Sequence, residues 1–477
     1  MLKNPKKTGI CQLRISTLLP SLAIALFVLT ASTLTAQAQS NSHDVVVRFD
    51  RNVYLQFASS YRHSGDLLIV EDFEQPDATR KMPIEVTAAV HFGQRFSGSD
   101  SDMQAIRWYE GTEADFQIDS GTETLAIEGE RSLILARIKQ DSDKRFQLAG
   151  VADYLTQTEV DLIRNSADPL SFPALFTKNA VEVGESWQPE DDALADFLAV
   201  DRVYSNETEL TLSSVSDGVA RVQLTGSAKA EVDDVTSEIV VQTVAWVNLE
   251  NEFVEALRSE VRQQREPGQI AAGYTGITRV DMKSSIEEEI PSLTNEALAN
   301  VASQKVERKL KWESRVGGFE LIYDTRWRMI VADTEAAVMR FVDNGNLMAQ
   351  CNVVQLPARP QNRPLALEEF RTEVARVVAQ EESAQVIAAE TKRTQHGLAA
   401  LRVTVEGVEQ GVPVQWIYYH VSGEDGRCAT FVFTLEQELA SIFAPADKLL
   451  VNQFEFTPLN SDRTGRYFRP SAPTTGR

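Results

Sequence analysis

The sequence predicts an α+β protein. An N-terminal, mainly antiparallel β domain with a curved sheet is followed by a C-terminal α/β sandwich with an antiparallel sheet. Three observations predict this class. Apolar and polar residues alternate with period two over residues 44–289. A charged segment containing Pro291 then ends the pattern. From Phe319 onward, strands are interrupted by amphipathic helices, which is typical of an α+β sandwich.

The chain begins with a segment typical of a secretory signal peptide. Four basic residues precede an apolar run over residues 18–34, and Ala36-Gln37-Ala38 supplies the small residues that signal peptidase requires. An uncleaved anchor is the weaker alternative, because Pro20 and several hydroxyl residues dilute the run. We therefore expect cleavage after Ala38, export to the periplasm or the extracellular space, and no integral membrane segment in the mature chain.

Composition limits the possible partners. Removing residues 1–38 from the 477-residue chain leaves 439 residues and changes the formal net charge from −22 to −26. Nucleic acid is therefore an unlikely partner class, since phosphate binding requires clustered Lys and Arg. The same charge favours a soluble monomer through self-repulsion. The length is sufficient for two domains, each with its own core.

The predicted N-terminal domain, residues 39–290, ends in a five-stranded meander. Short polar turns such as Asp217-Gly218 separate its long alternating strands. We expect a short helix over 159–165 capped by Thr158, and another over 192–198 capped by Asp191. The predicted strands are 45–49, 67–73, 84–96, 105–109, 133–139, 208–212, 220–224, 237–248, 253–265 and 273–286.

Residues 291–315 are predicted to be a linker with a short helix over 295–303 capped by Thr294. The second domain is predicted over 316–458, and a disordered tail rich in Pro, Ser, Thr and Arg over 459–477. Within the second domain we expect an amphipathic helix over 367–381 and a C-terminal helical return broken at Pro445. Its predicted strands are 319–323, 336–342, 347–356, 386–392, 399–408, 412–421 and 429–434.

Two resemblances follow from these patterns. The segment Phe319-Glu-Leu-Ile-Tyr-Asp-Thr-Arg-Trp327, with the later order of strand pair, helix, meander and C-terminal helix, resembles the PsbP-like family over roughly residues 312–458. This resemblance implies a binding or assembly role, and the family offers no active site to transfer. Val183-Gly-Glu-Ser-Trp187 before a long meander is more weakly similar to β-rich exported domains of the lipoprotein-carrier (LolA) type.

The sequence contains no short catalytic motif, so we assign no catalytic, cofactor-binding or metal-binding residues and expect no cofactor. The five histidines are dispersed, and no zinc, nucleophile-elbow or phosphate-loop spacing occurs. His420 is interpreted as a satisfied residue at a strand edge, and Asp102 as part of a solvated turn. Cys351 and Cys428 could form one disulfide, which export permits, or remain two separately buried thiols.

The leading hypothesis is an exported, non-catalytic envelope protein that binds a protein partner or assists assembly. One alternative is a periplasmic carrier holding an apolar ligand in the N-terminal sheet. A second alternative is an unrecognised hydrolase that uses scattered carboxylates, which leave no short motif. A lined cavity would favour the carrier, and a polar cleft with clustered Asp, Glu and His would favour the enzyme.

Overall fold

The period-two alternation of the first half produces long antiparallel strands, as the sequence predicts. The structure is a computed structural model, and its described residues are mostly β, with several antiparallel sheets. They fall in one compact unit, Asn41–Arg477. The structure describes residues 42–70, 79–97, 103–119, 121–127, 129–138, 146–232, 235–268, 272–303, 309–314, 317–332, 336–343, 346–360, 364–379 and 382–458.

The strands are β1 (Ser42–Val45), β2 (Tyr54–Val70), β3 (Thr79–Phe96), β4 (Met103–Tyr109), β5 (Thr112–Ile118), β6 (Gly121–Ile127), β7 (Leu133–Ile138), β8 (Phe146–Gly150), β9 (Lys178–Glu182), β10 (Ser186–Trp187), β11 (Arg202–Ser216), β12 (Val219–Val232), β13 (Val235–Asn248), β14 (Phe253–Arg265), β15 (Gly273–Glu287), β16 (Lys309–Ser314), β17 (Phe319–Asp324), β18 (Trp327–Ala332), β19 (Ala336–Asp343), β20 (Asn346–Leu356), β21 (Glu382–Arg393), β22 (Ala399–Glu409), β23 (Val412–Ser422), β24 (Cys428–Glu436) and β25 (Phe454–Phe456).

The α-helices are α1 (Gln157–Ile163), α2 (Phe172–Phe176), α3 (Asp191–Leu198), α4 (Asn295–Ser303), α5 (Leu367–Val378), α6 (Ala440–Phe443) and α7 (Ala446–Asn452). Short 3₁₀ turns occur at Gly129–Ser132, Pro169–Ser171 and Gln437–Leu439. Among the described residues, every helix is too short or too polar to cross a bilayer.

The large sheet has thirteen strands in the order β10-β11-β12-β13-β14-β15-β2-β3-β4-β7-β8, with β5 paired to β3 and β6 to β5. Its meander β11–β15 follows the predicted strands. Asp217 and Gly218 both have positive φ, which the tight β11–β12 hairpin requires. The pairing of β15 with β2 joins the meander to the start of the chain.

We call the face of the large sheet that packs inside the protein its core face, and the opposite face its outer face. Helices α1–α3 lie against the core face, where Phe172, Phe176 and Phe197 are fully buried. Their rings pack edge to face, at 5.6 and 6.1 Å between centroids. The same core cluster continues into the second half of the chain, through Leu321 and Phe454. The core face is therefore filled by the protein's own side chains.

The small sheet has seven strands in the order β18-β19-β20-β24-β23-β22-β21. On one face, α5 buries Phe370, Val374 and Val378 against Val403 and Trp416. On the other face, α6 and α7 contribute to the main core cluster. A three-stranded sheet, β16-β17-β25, lies beside it. This arrangement of helices about a mainly antiparallel sheet fits the predicted α+β class.

Several elements differ from the prediction. Strand β2 begins at Tyr54 rather than near residue 67, because small and polar residues such as Ser59 occupy positions that face the core. Helix α1 is capped by Thr156 rather than Thr158: the Thr156 hydroxyl accepts from the Glu159 N–H, and Glu159 accepts from the Thr156 N–H. Strands β5, β6, β8, β9, β10, β16, β18 and β25 were not predicted, and the predicted strand 45–49 overlaps β1 only at Val45. Helix α4 confirms the predicted helix, and the Thr294 hydroxyl accepts from the Ala297 N–H.

The predicted disulfide is not formed, and Cys351 and Cys428 are free, buried thiols. The strand register explains this. In the β20–β24 pair, Cys351 lies opposite Phe433, whereas Cys428 lies opposite Leu356. An offset of this size along neighbouring strands places the two residues roughly 17 Å apart, and a disulfide requires Cα atoms within roughly 7 Å. The predicted signal peptide, Asp102 and the tail lie outside the described residues.

Candidate functional site

The deepest polar cluster of the large sheet surrounds Arg107 on the core face. Both terminal nitrogens of Arg107 donate to Asp168, at 2.7 and 2.6 Å, and its Nε donates to the Gln94 amide oxygen at 2.8 Å. Asp168 in turn accepts from the Leu170 N–H at the start of the 3₁₀ turn. Because every charged atom in this cluster is engaged in attaching the turn to the sheet, we interpret the cluster as structural.

A second polar cluster lies on the three-stranded sheet. Glu313, Glu320 and Glu455 are direct cross-strand neighbours there, and we call them the glutamate row. Burial raises the pKa of Glu320, and its hydrogen bond with Glu455 raises it further. His396 Nδ1 lies 2.6 Å from Glu455, and Arg131 lies 3.6 Å from Glu313. Two carboxyl groups that share a hydrogen bond can hold one proton between them, as acid–base pairs do.

The outer face of the large sheet carries a groove with a volume of about 620 Å³. The groove follows from the strand register, which places five residues side by side across β13, β14, β15, β2 and β3. Their order is Trp246, Ala256, Lys283, Ala58 and His91. At roughly 4.8 Å between strands, this row is roughly 19 Å long. Apart from Lys283 at the centre of the row, the side chains between the half-buried Trp246 and the exposed His91 are small and form a floor.

The next row on the same face also combines charged and small residues. Val244, Arg258, Asp281, Ser60 and Ala89 are neighbours across the same five strands. Small residues lie on β2 and β3 in this row, whereas in the first row they lie on β14 and β2, so the floor extends onto β3. The Nε of Arg258 lies 2.9 Å from an Asp281 oxygen, so the two charges in this row form an exposed ion pair.

A further pocket of about 430 Å³ adjoins the groove and shares Arg258 and Asp281 with it. There Glu260 accepts from both Arg262 and Arg279, at 2.9 Å each, and these hydrogen bonds hold its pKa below the usual range. We call the two pockets together the outer groove. Its charges of both signs alternate across the strands, whereas its floor is apolar and small. Such a surface suits a partner with an apolar side chain flanked by polar groups.

The structure places the sequence-derived candidates away from this groove. Cys351 and Cys428 lie in the small sheet. His420 is not at an edge, because β23 lies between β22 and β24. It is buried, and its Nε2 has no hydrogen-bond partner among the described residues. Burial first, and the nearby Arg359 second, lower the pKa of His420 to about 4. Within the described ranges, no group of three or more His, Cys, Asp or Glu side chains is arranged to hold a metal ion.

The outer groove and the glutamate row were not predicted from the sequence. Both depend on register between strands that are distant in the chain, such as β2 with β15 and β17 with β25. One signal was available for the groove: Trp246 stands at a polar-face position of its strand, where period two predicts exposure.

Neither a family model nor a curated protein matches the chain. The solved structures that are weakly similar to part of it include the following three. Cyanobacterial PsbP (CyanoP) from Synechocystis sp. PCC 6803 is 14% identical over 32% of this chain and 95% of its own, with a TM-score of 0.26. The Ran-binding protein Mog1p of Saccharomyces cerevisiae is 9% identical over 32% and 96%, with a TM-score of 0.24. A Pseudomonas aeruginosa protein of unknown function is 11% identical over 29% and 92%, with a TM-score of 0.23.

Proposed function

We propose that this protein is a non-catalytic binding or assembly module of the cell envelope and that a protein partner docks in the outer groove. The observation that supports the proposal is the apolar floor of Ala58, Ala89 and Ala256 beside Trp246 on a solvent-facing sheet surface. Solvent-facing sheet positions ordinarily carry polar side chains. Large aromatic residues beside a small depression are typical anchoring points of protein interfaces.

The partner segment that fits the groove is an extended polypeptide. The roughly 19 Å row accommodates about six extended residues. An apolar side chain of the segment would lie on the small floor against Trp246. Its polar neighbours would meet Lys283 at the centre of the row and the Arg258–Asp281 ion pair along the side. Among the side chains that flank the floor, Arg258 and Asp281 already form a cross-strand pair, so binding would order fewer side chains.

The two alternative functions, a hydrolase and a carrier of an apolar ligand, would use different parts of the structure. A hydrolase would use the glutamate row, where Glu320 and Glu455 share a hydrogen bond. A carrier would use a pocket at the end of the large sheet, since the core face is filled by α1–α3. Hydrolysis of a glycosidic, ester or peptide substrate that disappears in Glu320→Gln would favour the hydrolase over the binding module.

Export and the identity of the second half are part of the same proposal. The basic, apolar and small-residue regions of residues 1–38 support a secretory signal. The order β17 to β20, α5, β21 to β24 and α7 supports a PsbP-like domain over roughly residues 312–458. We propose that this second half is a further binding module and that the outer groove provides the first.

The proposal is tested by photo-crosslinking in the native host. Benzoylphenylalanine replaces Ala256 in the groove, and in a matched control it replaces Thr236, an exposed residue on the same strand face as Trp246. We expect a discrete protein adduct from position 256 that position 236 does not give. The same adducts in equal yield from both positions would contradict docking in the groove.

A further inference from the structure

A separate pocket lies at the end of the large sheet, where β2 begins and β3 ends. We call it the end pocket; its volume is about 710 Å³. Its apolar walls come from Phe49, Leu55, Phe96 and Phe253. Leu55, Phe96 and Phe253 are buried, and the Phe49 and Phe96 rings are 6.0 Å apart. This volume is in the range of small-molecule sites, which lie between roughly 300 and 1,000 Å³.

One polar side chain stands in these walls. Gln94 lines the end pocket and is 1% exposed. Its Oε1 accepts from the Arg107 Nε at 2.8 Å, and because arginine only donates, this contact fixes which amide atom faces Arg107. The Gln94 Nε2 has no hydrogen-bond acceptor among the described residues. A buried amide N–H group without an acceptor is rare in folded proteins and requires an explanation.

Strand register connects this amide to the opening of the pocket. Ile286, Leu55, Gln94 and Arg107 are neighbours in one row across β15, β2, β3 and β4. Ile286 is 43% exposed, whereas Leu55 is 5% exposed, so the row runs from the rim inward. Because Oε1 accepts from Arg107, Nε2 is the amide atom of this pocket-lining residue that remains to donate. Arg107 is itself held by Asp168 and fixes the Gln94 side chain through Oε1. The Nε2 donor is therefore preorganised.

The charges at the rim indicate the class of ligand. Arg48, Arg51, Asp50, Glu250 and Glu252 surround the opening, three acidic groups against two basic ones. Arg48 lies 3.4 Å from Glu252, so its charge is already compensated. An anionic ligand therefore gains little here, and a cation would meet an amide donor instead of an acceptor at the buried end.

We propose that the end pocket binds a neutral molecule that has an apolar body and a carbonyl-type oxygen. The body lies against Phe49, Phe96 and Phe253, and the oxygen accepts from Gln94 Nε2. This inference is independent of the outer groove, which lies on the opposite face of the sheet, so either site can fail without the other.

The test uses two probes of nearly equal shape, acetophenone and ethylbenzene, which differ in the carbonyl oxygen. Their dissociation constants are measured by ligand-observed NMR for the full chain and for Gln94→Glu. This variant keeps an acceptor for Arg107 and replaces the N–H donor by oxygen. We expect acetophenone to bind about tenfold more weakly to Gln94→Glu, the usual effect of one buried hydrogen bond, and ethylbenzene to change less than twofold.

Ile286→Ala is the matched control, because it removes an apolar contact at the rim and leaves Gln94 intact. It should weaken both probes by the same factor, which places them in the end pocket. In wild-type protein with labelled glutamine, acetophenone should shift the Gln94 side-chain amide resonance and ethylbenzene should not. Equal changes of the two probes in Gln94→Glu, or an amide resonance that acetophenone leaves unshifted, would overturn the proposal.

Discussion

Both sheets hold an arginine–aspartate pair on the core side, and the two pairs differ in their access to solvent. Arg107 and Asp168 belong to the large sheet, with side chains 1% and 7% exposed. Arg402 and Asp447 belong to the small sheet, with side chains 15% and 3% exposed, and lie 2.9 Å apart. In each case a strand arginine holds a carboxylate at the start of a helical segment, the 3₁₀ turn Pro169–Ser171 or helix α7.

The environments of the pairs explain the difference. The Arg107 guanidinium lies over the Phe92 ring at 4.9 Å and is enclosed with Gln94 and Tyr109. By contrast, Arg402 also reaches Glu390 at 3.4 Å, and Glu390 lies 3.1 Å from Lys392 at the surface. The small-sheet pair is therefore part of a network that reaches solvent, whereas the large-sheet pair is isolated.

This comparison shows how the protein uses its buried charge. Both pairs attach helical segments to a sheet, and each aspartate is saturated with donors: Asp447 accepts from Arg402 and from the Tyr419 hydroxyl. Side chains engaged in this way are poorly placed to act on a substrate. Recognition of a partner is therefore expected on the outer face and at the end of the large sheet, where side chains remain accessible.

The largest expected effect on stability comes from disrupting the enclosed Arg107–Asp168 pair. Asp168→Ala should lower the free energy of unfolding by roughly 3–5 kcal/mol, because it leaves the Arg107 charge buried and unpaired. Chemical denaturation monitored by circular dichroism measures the loss. Asp168→Asn keeps an acceptor for the Leu170 N–H and should lose less. A loss below about 1 kcal/mol in Asp168→Ala would show that the cluster is not structural.

The Arg402–Asp447 pair, whose network reaches solvent, should be less sensitive to the loss of its aspartate. Asp447→Ala should cost roughly 2–3 kcal/mol in the same measurement, since Arg402 keeps Glu390 as a partner and remains partly solvated. The comparison of the two sheets predicts this ranking. If Asp447→Ala destabilised the protein more than Asp168→Ala, exposure would not be the property that separates the pairs.

His420 makes the small sheet sensitive to acid. Its pKa in the folded state, about 4, is below the unfolded value near 6.5, so the unfolded state binds the proton first as the pH falls. The stabilising contribution is complete above pH 6.5 and is lost between pH 6.5 and 4, by roughly 3 kcal/mol. When the pH is lowered from 7 to 4.5, the melting temperature of His420→Leu should fall less than that of wild type. An identical pH dependence in the two proteins would contradict the assignment.

The smallest stability effect concerns the glutamate row and has the opposite sign. Because the folded-state pKa of Glu320 is raised, its stabilising contribution is present below the unfolded pKa and is lost as the pH rises through the folded value. Glu320→Gln should therefore stabilise the protein at pH 7 by about 0.5 kcal/mol and have little effect at pH 4. Denaturation at both pH values measures this, with Glu424→Gln as a control outside the row. Destabilisation at pH 7 would show that the carboxylate is needed in its charged form.

The sequence was sufficient to predict much of the local structure, but it was insufficient to predict the candidate sites. Alternation and turn residues predicted β11–β15, since each hairpin is local and Asp217-Gly218 is a strong turn signal. Strand β2 was mostly missed because small and polar residues such as Ser59 interrupt its core-facing apolar stripe. Likewise, the buried pairing of Arg107 with Asp168 joins residues on separate elements, and charge patterning along the chain does not encode it.

The central claim, that a protein partner docks in the outer groove, is tested most directly by filling the groove. Ala58 is exposed at the middle of the floor, so Ala58→Trp places an indole there without disturbing the core. Thr236→Trp adds the same side chain on the same face beyond the groove. With the crosslinker at position 256, we expect Ala58→Trp to lower the adduct yield at least tenfold and Thr236→Trp to leave it within twofold. An unchanged yield in Ala58→Trp would contradict the account.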